Sequence, residues 1–164
     1  MEDVKLAQDL ENMLDRFRQA GTRMAADADF RQVLDAFGDF EEEKDQVRDS
    51  RAGTVYPDSA SVESIFLATR ESADTVEVLQ MHFKEGITLS ALEAELGAWY
   101  RDPPEPAELA FTSAYFNPRL IDPAATFLLK AVVDEFCDRF TPQTIVNSLN
   151  IDYSDDRQVT DRPW

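Results

Sequence analysis

The apolar residues of this chain change their spacing several times, from three-and-four to alternate and back, and that switching restricts it to a fold mixing helices with strands. Over residues 4–20, Leu6, Leu10, Met13, Leu14 and Phe17 form one helical stripe, and Gly21 stands where a helix-ending glycine belongs. Asp29 offers an N-cap for a second helix bearing Phe30, Val33, Leu34 and Phe37, extended by Phe40 and fraying near Arg48. Residues 51–59, with Gly53, Pro57 and Asp58, read as a turn-rich connection. Val62–Thr69 and residues 75–83 then follow the period of strands, with Leu79, Met81 and Phe83 on one face and Val76, Val78, Gln80 and His82 on the other. The short stretch between them suits an antiparallel hairpin.

After Gly86 the helical period returns. Ser90 and Glu93 have the spacing of a capping box, Leu92, Leu96 and Trp99 or Tyr100 follow on one face, and Pro103, Pro104 and Pro106 forbid continuation past Arg101. Residues 107–116 predict a third strand. Asp122 with Pro123 predicts the start of a central helix reaching Phe140, with Phe127, Leu128, Ala131, Val132 and Phe136 along its stripe. Thr141 with Pro142 predicts a short fifth helix carrying Ile145, Val146 and Leu149. The expected fold is α+β in the order α-α-β-β-α-β-α-α, with a small, mostly antiparallel sheet of about three strands packed by helices. Residues 1–152 are expected to form one domain and residues 153–164 an acidic C-terminal tail.

Charge narrows the partners. The 164 residues carry 33 Asp plus Glu against 16 Lys plus Arg, a formal net charge of -17. Non-specific attraction to nucleic acid or anionic lipid needs a cationic footprint, which this balance disfavours. No apolar run approaches the length of a membrane span. The acidic, amphipathic start has neither the basic nor the apolar region of a secretory signal, and one Cys cannot form an internal disulfide, so a cytoplasmic setting is expected. The acids occur on nearly every segment but are densest over residues 39–45 and 152–161. That pattern fits either a generally acidic surface adapted to high salt or a face meant for a basic partner.

Catalytic motifs are sparse. His82 is the only histidine, which excludes mechanisms and metal sites needing two. Cys137 is surrounded by Asp134, Glu135 and Asp138, which raise a thiol's pKa and suppress its nucleophile. Asn150, Asp152, Ser154, Asp156 and Asp161 match positions 1, 3, 5, 7 and 12 of a calcium-binding loop. Yet Asp155 stands where that loop needs glycine, and no Glu occupies its last position. No phosphate-cradling loop, nucleophile elbow or CxxC is present, and no cofactor or metal is expected.

The leading expectation is a non-catalytic module whose acidic surface docks a basic protein. In its sharpest form it is an immunity-type inhibitor or antitoxin whose carboxylates occupy the places of substrate phosphates. The partner-binding residues expected are Glu41, Glu42, Glu43 and Asp45, then Asp152, Asp155 and Asp156, with Tyr153 and Trp164 as aromatic anchors. Size and charge resemble those of bacterial immunity proteins and acidic secretion chaperones, a compositional likeness carried by no motif. The alternatives are a secretion or assembly chaperone acting as a homodimer, and a small enzyme without a local signature.

Overall fold

Helix α1, Glu2–Ala25, keeps part of the stripe legible in the sequence: Met13, Leu14 and Phe17 are buried and Ala20 and Met24 continue them at three-and-four spacing, while Leu10 is half-buried and Leu6 exposed. In this computed structural model the described residues are 2–37, 40–47, 50–70, 74–101, 113–121, 123, 128–133 and 141–152. Gly21 does not end α1. It lies inside the helix, where α1 passes close over the sheet and the side chains of Ile151 and Ile121 occupy the space a larger residue would need. Asp29 caps the short helix α2, Phe30–Leu34, as expected, and Gln32 completes a capping box: the Asp29 carboxylate accepts from the Gln32 amide at 2.9 Å and the Gln32 side chain accepts from the Asp29 amide at 3.0 Å. A single 3-10 turn, Asp35–Phe37, follows.

The fold remains α+β, but the sheet is far larger than three strands. Among the described residues, eight antiparallel strands form one sheet: β1 Phe40–Val47, β2 Ser50–Pro57, β3 Val62–Thr69, β4 Val76–Thr88, β5 Trp99–Arg101, β6 Ser113–Phe116, β7 Leu128–Val132 and β8 Ile145–Asp152. Their order is β1-β2-β3-β4-β8-β7-β6-β5, so two four-stranded meanders meet where β4 pairs with β8. Helix α3, Leu89–Leu96, leaves the central strand β4, and the chain then enters the far edge strand β5. Its cap is Thr88 rather than Ser90, the Thr88 hydroxyl accepting from the Ala91 amide at 3.2 Å, and it ends at Gly97 in the left-handed region, φ 85.

Five features of the expected order are corrected. The second helix does not reach Arg48, because Phe40–Val47 pairs along its whole length with β2, which itself replaces the expected connection over residues 51–59. Over residues 128–132 the central helix expected after Asp122 gives way to β7, in which Leu129 and Ala131 are buried at period two, and buried Val133 follows the strand at the same spacing. The fifth helix is instead a turn followed by β8. There Thr141 Oγ1 accepts from the Gln143 amide, and Thr144 Oγ1 from the Thr141 amide at 2.8 Å. Trp99 and Tyr100 belong to strand β5 rather than to the third helix. The hairpin of β3 and β4 is as predicted, with Ile65 opposite Met81 and Leu67 opposite Leu79. Most of the predicted third strand, residues 107–112, and Cys137 lie outside the described residues.

Register divides the sheet into two faces. Val55, Ile65, Leu67, Leu79, Met81, Leu149, Ile151, Leu129 and Ala131 share the buried face and enter one core with Phe17, Phe30, Phe37 and Leu92 from the helical elements. Arg18 of α1 ties α3 in place by donating to the Glu95 carbonyl, and Arg16 donates to the Phe37 carbonyl. On the opposite face Phe66, Val78, Gln80, His82, Lys130 and Tyr115 are only partly buried.

Candidate functional site

The face of the sheet opposite the core carries no helix among the described residues, and this helix-free face is organised in transverse rows, because antiparallel pairing places residues of successive strands side by side. One row runs Glu43, Thr54, Phe66, Gln80, Asn150, Lys130, Tyr115, Tyr100. A second runs Asp45, Ala52, Ala68, Val78, Asp152, Leu128. A third passes through Ser64, His82, Ser148, Val132 and Ser113.

These rows place the residues singled out in the sequence. Glu41, Glu43 and Asp45 take register positions opposite Tyr56, Thr54 and Ala52, at the positions of the helix-free face, while Glu42 pairs with Val55 at a position of the core face. The expected cluster is therefore split by strand alternation, a consequence of its lying in a strand rather than in a helix. Asp152 shares the row of Asp45 but stands four strands away, about 19 Å at the usual ~4.8 Å strand spacing, with Ala52, Ala68 and Val78 between them. Tyr153, Asp155, Asp156 and Trp164 lie outside the described residues. Asn150 and Asp152, the first two positions of the calcium-loop pattern, belong to a paired strand and not to a loop. Among the described residues no group of three His, Cys, Asp or Glu is placed to hold a metal ion.

Two buried polar arrangements escaped the sequence reading. Asn150, 7% exposed, has a side-chain oxygen with no hydrogen-bond partner, in the centre of the sheet between Gln80 and Lys130. The second joins α1 to the turn before β3. Asp9 Oδ2 accepts from Ser59 Oγ at 2.6 Å, from Ser61 Oγ at 2.5 Å and from the Ser61 amide at 3.0 Å. Partial burial would raise the Asp9 pKa, but the hydrogen bonds from Ser59, Ser61 and the Ala60 amide outweigh it and hold the carboxyl below its usual range. A carboxylate so stabilised is a weaker proton acceptor than an ordinary one, and this one serves as a clamp across 50 residues of chain. Asp58, Ser59 and Ser61 are legible as turn formers, but nothing local to them points to Asp9.

His82 stands on the helix-free face opposite Ser64 and Ser148. No helix among the described residues is long and apolar enough to cross a membrane. Comparison of the chain with protein-family models, with curated proteins and with solved structures finds no match.

Proposed function

We propose that the chain is a non-catalytic binding module that takes a basic partner protein across the helix-free face of its sheet. The observation that carries this reading is the register of that face. Positions 41, 43 and 45 set three acids along the edge strand and Asp152 adds a fourth in the row of Asp45, with exposed Tyr56 and partly exposed Phe66 and Val78 on the strands between and Tyr115 two strands beyond Asp152. A surface of dispersed carboxylates around partly exposed aromatic groups suits a cationic, moderately apolar protein face, and a net charge of -17 steers such a partner in. The sharpest form of the reading is an inhibitor that occupies the cationic groove of a toxin or nuclease.

The test begins with capture at low salt from the lysate of the source organism. A purified stoichiometric ligand is then carried into association kinetics with the wild type and with the combined variant Glu41→Lys, Glu43→Lys, Asp45→Lys. The reading expects a basic protein whose association slows at least ~10-fold in the variant and with rising salt. Equal rates for the two proteins, or a ligand that is acidic or not a protein, would discard it.

A further inference from the structure

The first turns of α1 leave the sheet with their apolar stripe only partly covered, and a groove of about 250 Å³ opens between that stripe, the turn before β3 and the end of β4. Leu6 and Leu10 form one wall, Ala60 and Ser61 the second, and Glu85 and Ile87 the third. The third wall exists because β4 is bulged. Its register jumps from His82 opposite Ser148 to Ile87 opposite Val146, with Gly86 in the left-handed region, φ 61. The Asp9 clamp fixes the second wall to α1, since Ser61 bonds Asp9 through both its hydroxyl and its amide.

Exposed apolar surface is concentrated here. Of the three large apolar side chains exposed among the described residues, Leu6 at 45% lines the groove and Ile145 at 51% flanks Gly86 beside it. The volume decides the size of the occupant. A drug-sized ligand takes roughly 300–1,000 Å³, whereas a cavity of about 150 Å³ already holds benzene, so the groove suits one aliphatic or aromatic side chain. Charge decides its neighbours. Glu85 is the one charged residue lining the groove among the described residues, Asp9 lies behind Ser61 with its carboxyl held below the usual range, and Lys5 and Lys84 are the nearby bases in sequence on α1 and β4.

Resting on the reading of the chain as a binder of basic proteins, we infer that this groove is a second contact point. It receives a single apolar anchor residue of the partner, flanked by a Lys or Arg that meets Glu85. The groove lies on the α1 side of the sheet, apart from the helix-free face, and supplies the buried anchor that an acidic surface alone lacks.

Methyl NMR tests this with synthetic peptides. The probe is a short peptide with one central leucine between lysines; the controls replace the leucine by glycine or the lysines by glutamates. The leucine–lysine peptide is expected to shift the Leu6, Leu10 and Ile87 methyls saturably, and both controls are expected to leave them in place. Leu6→Glu, at an exposed position, and Glu85→Gln, which removes only charge, are each expected to weaken binding about tenfold or more. Absence of shifts at those methyls overturns the groove, as does equal binding of either control. Shifts confined to Val78 and Val132 would overturn the groove while leaving the helix-free face as the docking surface. Failure of the broader reading shows separately, as insensitivity of partner association to the charge reversals on β1.

Discussion

Gly21 of α1 lies directly over Ile151 of β8: a β-carbon at position 21 would stand 3.0 Å from Ile151 Cδ1 and 3.1 Å from Ile121 Cγ2. The close approach of helix to sheet is what this glycine provides, since it sits inside a helix and is needed for no turn. Glycine costs the helix about 1 kcal/mol relative to alanine, so the packing gained must exceed that. Gly21→Val adds a β-carbon and two methyl groups where there is no room for them. It is expected to destabilise the protein by about 1–3 kcal/mol, a drop of roughly 2–4 °C in Tm per kcal/mol for a chain of this size. Urea denaturation of both proteins measures it, and an unchanged midpoint would mean that α1 can lift from β8 at no cost.

Asp9 makes stability depend on pH in a defined direction. Its folded pKa is depressed by the Ser59 and Ser61 hydrogen bonds, so its contribution is complete above the unfolded pKa of about 3.9 and is lost as pH falls through the lower folded value. Because Asp9 is only half-buried, the contribution belongs at the low end of the range for charged hydrogen bonds, about 1 kcal/mol. Asp9→Ala is expected to be less stable than wild type at pH 7 by that amount, with the gap closing on acidification below pH ~4. A gap that is constant with pH would place the effect in packing and not in ionisation.

How much of this was legible in the sequence depended on which force shaped each element. The N-cap Asp29, the core of the α1 stripe at Met13, Leu14 and Phe17, and the hairpin of β3 and β4 are local patterns and stand as read, whereas the Gln32 half of the cap was not singled out. Strand β8 gave no alternation, because residues 148–151 are consecutively buried at the centre of the sheet, and Ile145, Val146 and Leu149 happened to match a helix. Strand β1 carries Glu, Lys and Asp instead of an alternating apolar set; its strand form comes from pairing with β2. In and just after β7 the period-two set Leu129, Ala131 and Val133 was present but overridden by the helix-start signal of Asp122 and Pro123. At the candidate site the acids were visible as a cluster, while their division between two faces required the register of β1 on β2. The groove and the Asp9 clamp join residues about 50 positions apart or more, and no local motif encodes such a meeting.

Gly86 is held in its conformation by both backbone and space. At φ 61 a side chain is strained, and a β-carbon there would meet Ile145 Cγ2 at 2.5 Å and the Val146 carbonyl at 3.2 Å. Gly86→Ala is expected to cost about 1–3 kcal/mol and to displace Ile87 from the wall it forms. Thermal unfolding combined with the Ile87 methyl shift reads both effects, and a variant with the wild-type shift and Tm would show that the bulge tolerates a side chain.

Asn150 presents the reverse case, a residue whose replacement should strengthen the fold. Its side-chain oxygen is buried in the middle of the sheet with no hydrogen-bond partner, and a buried acceptor left in that state costs about 1–3 kcal/mol. Leucine has nearly the same shape and no polar atom to leave unpaired, so Asn150→Leu removes the penalty while filling the same space. The expected result is a gain of about 1 kcal/mol in denaturant unfolding, with the pairing of β8 to β4 and β7 unchanged. Selection that keeps a polar residue at such a position at the expense of stability would then have to act through the helix-free face, where Asn150 stands between Gln80 and Lys130. A leucine variant that is less stable than wild type would instead show that the amide has a partner in solution, such as an ordered water, and that its role is structural.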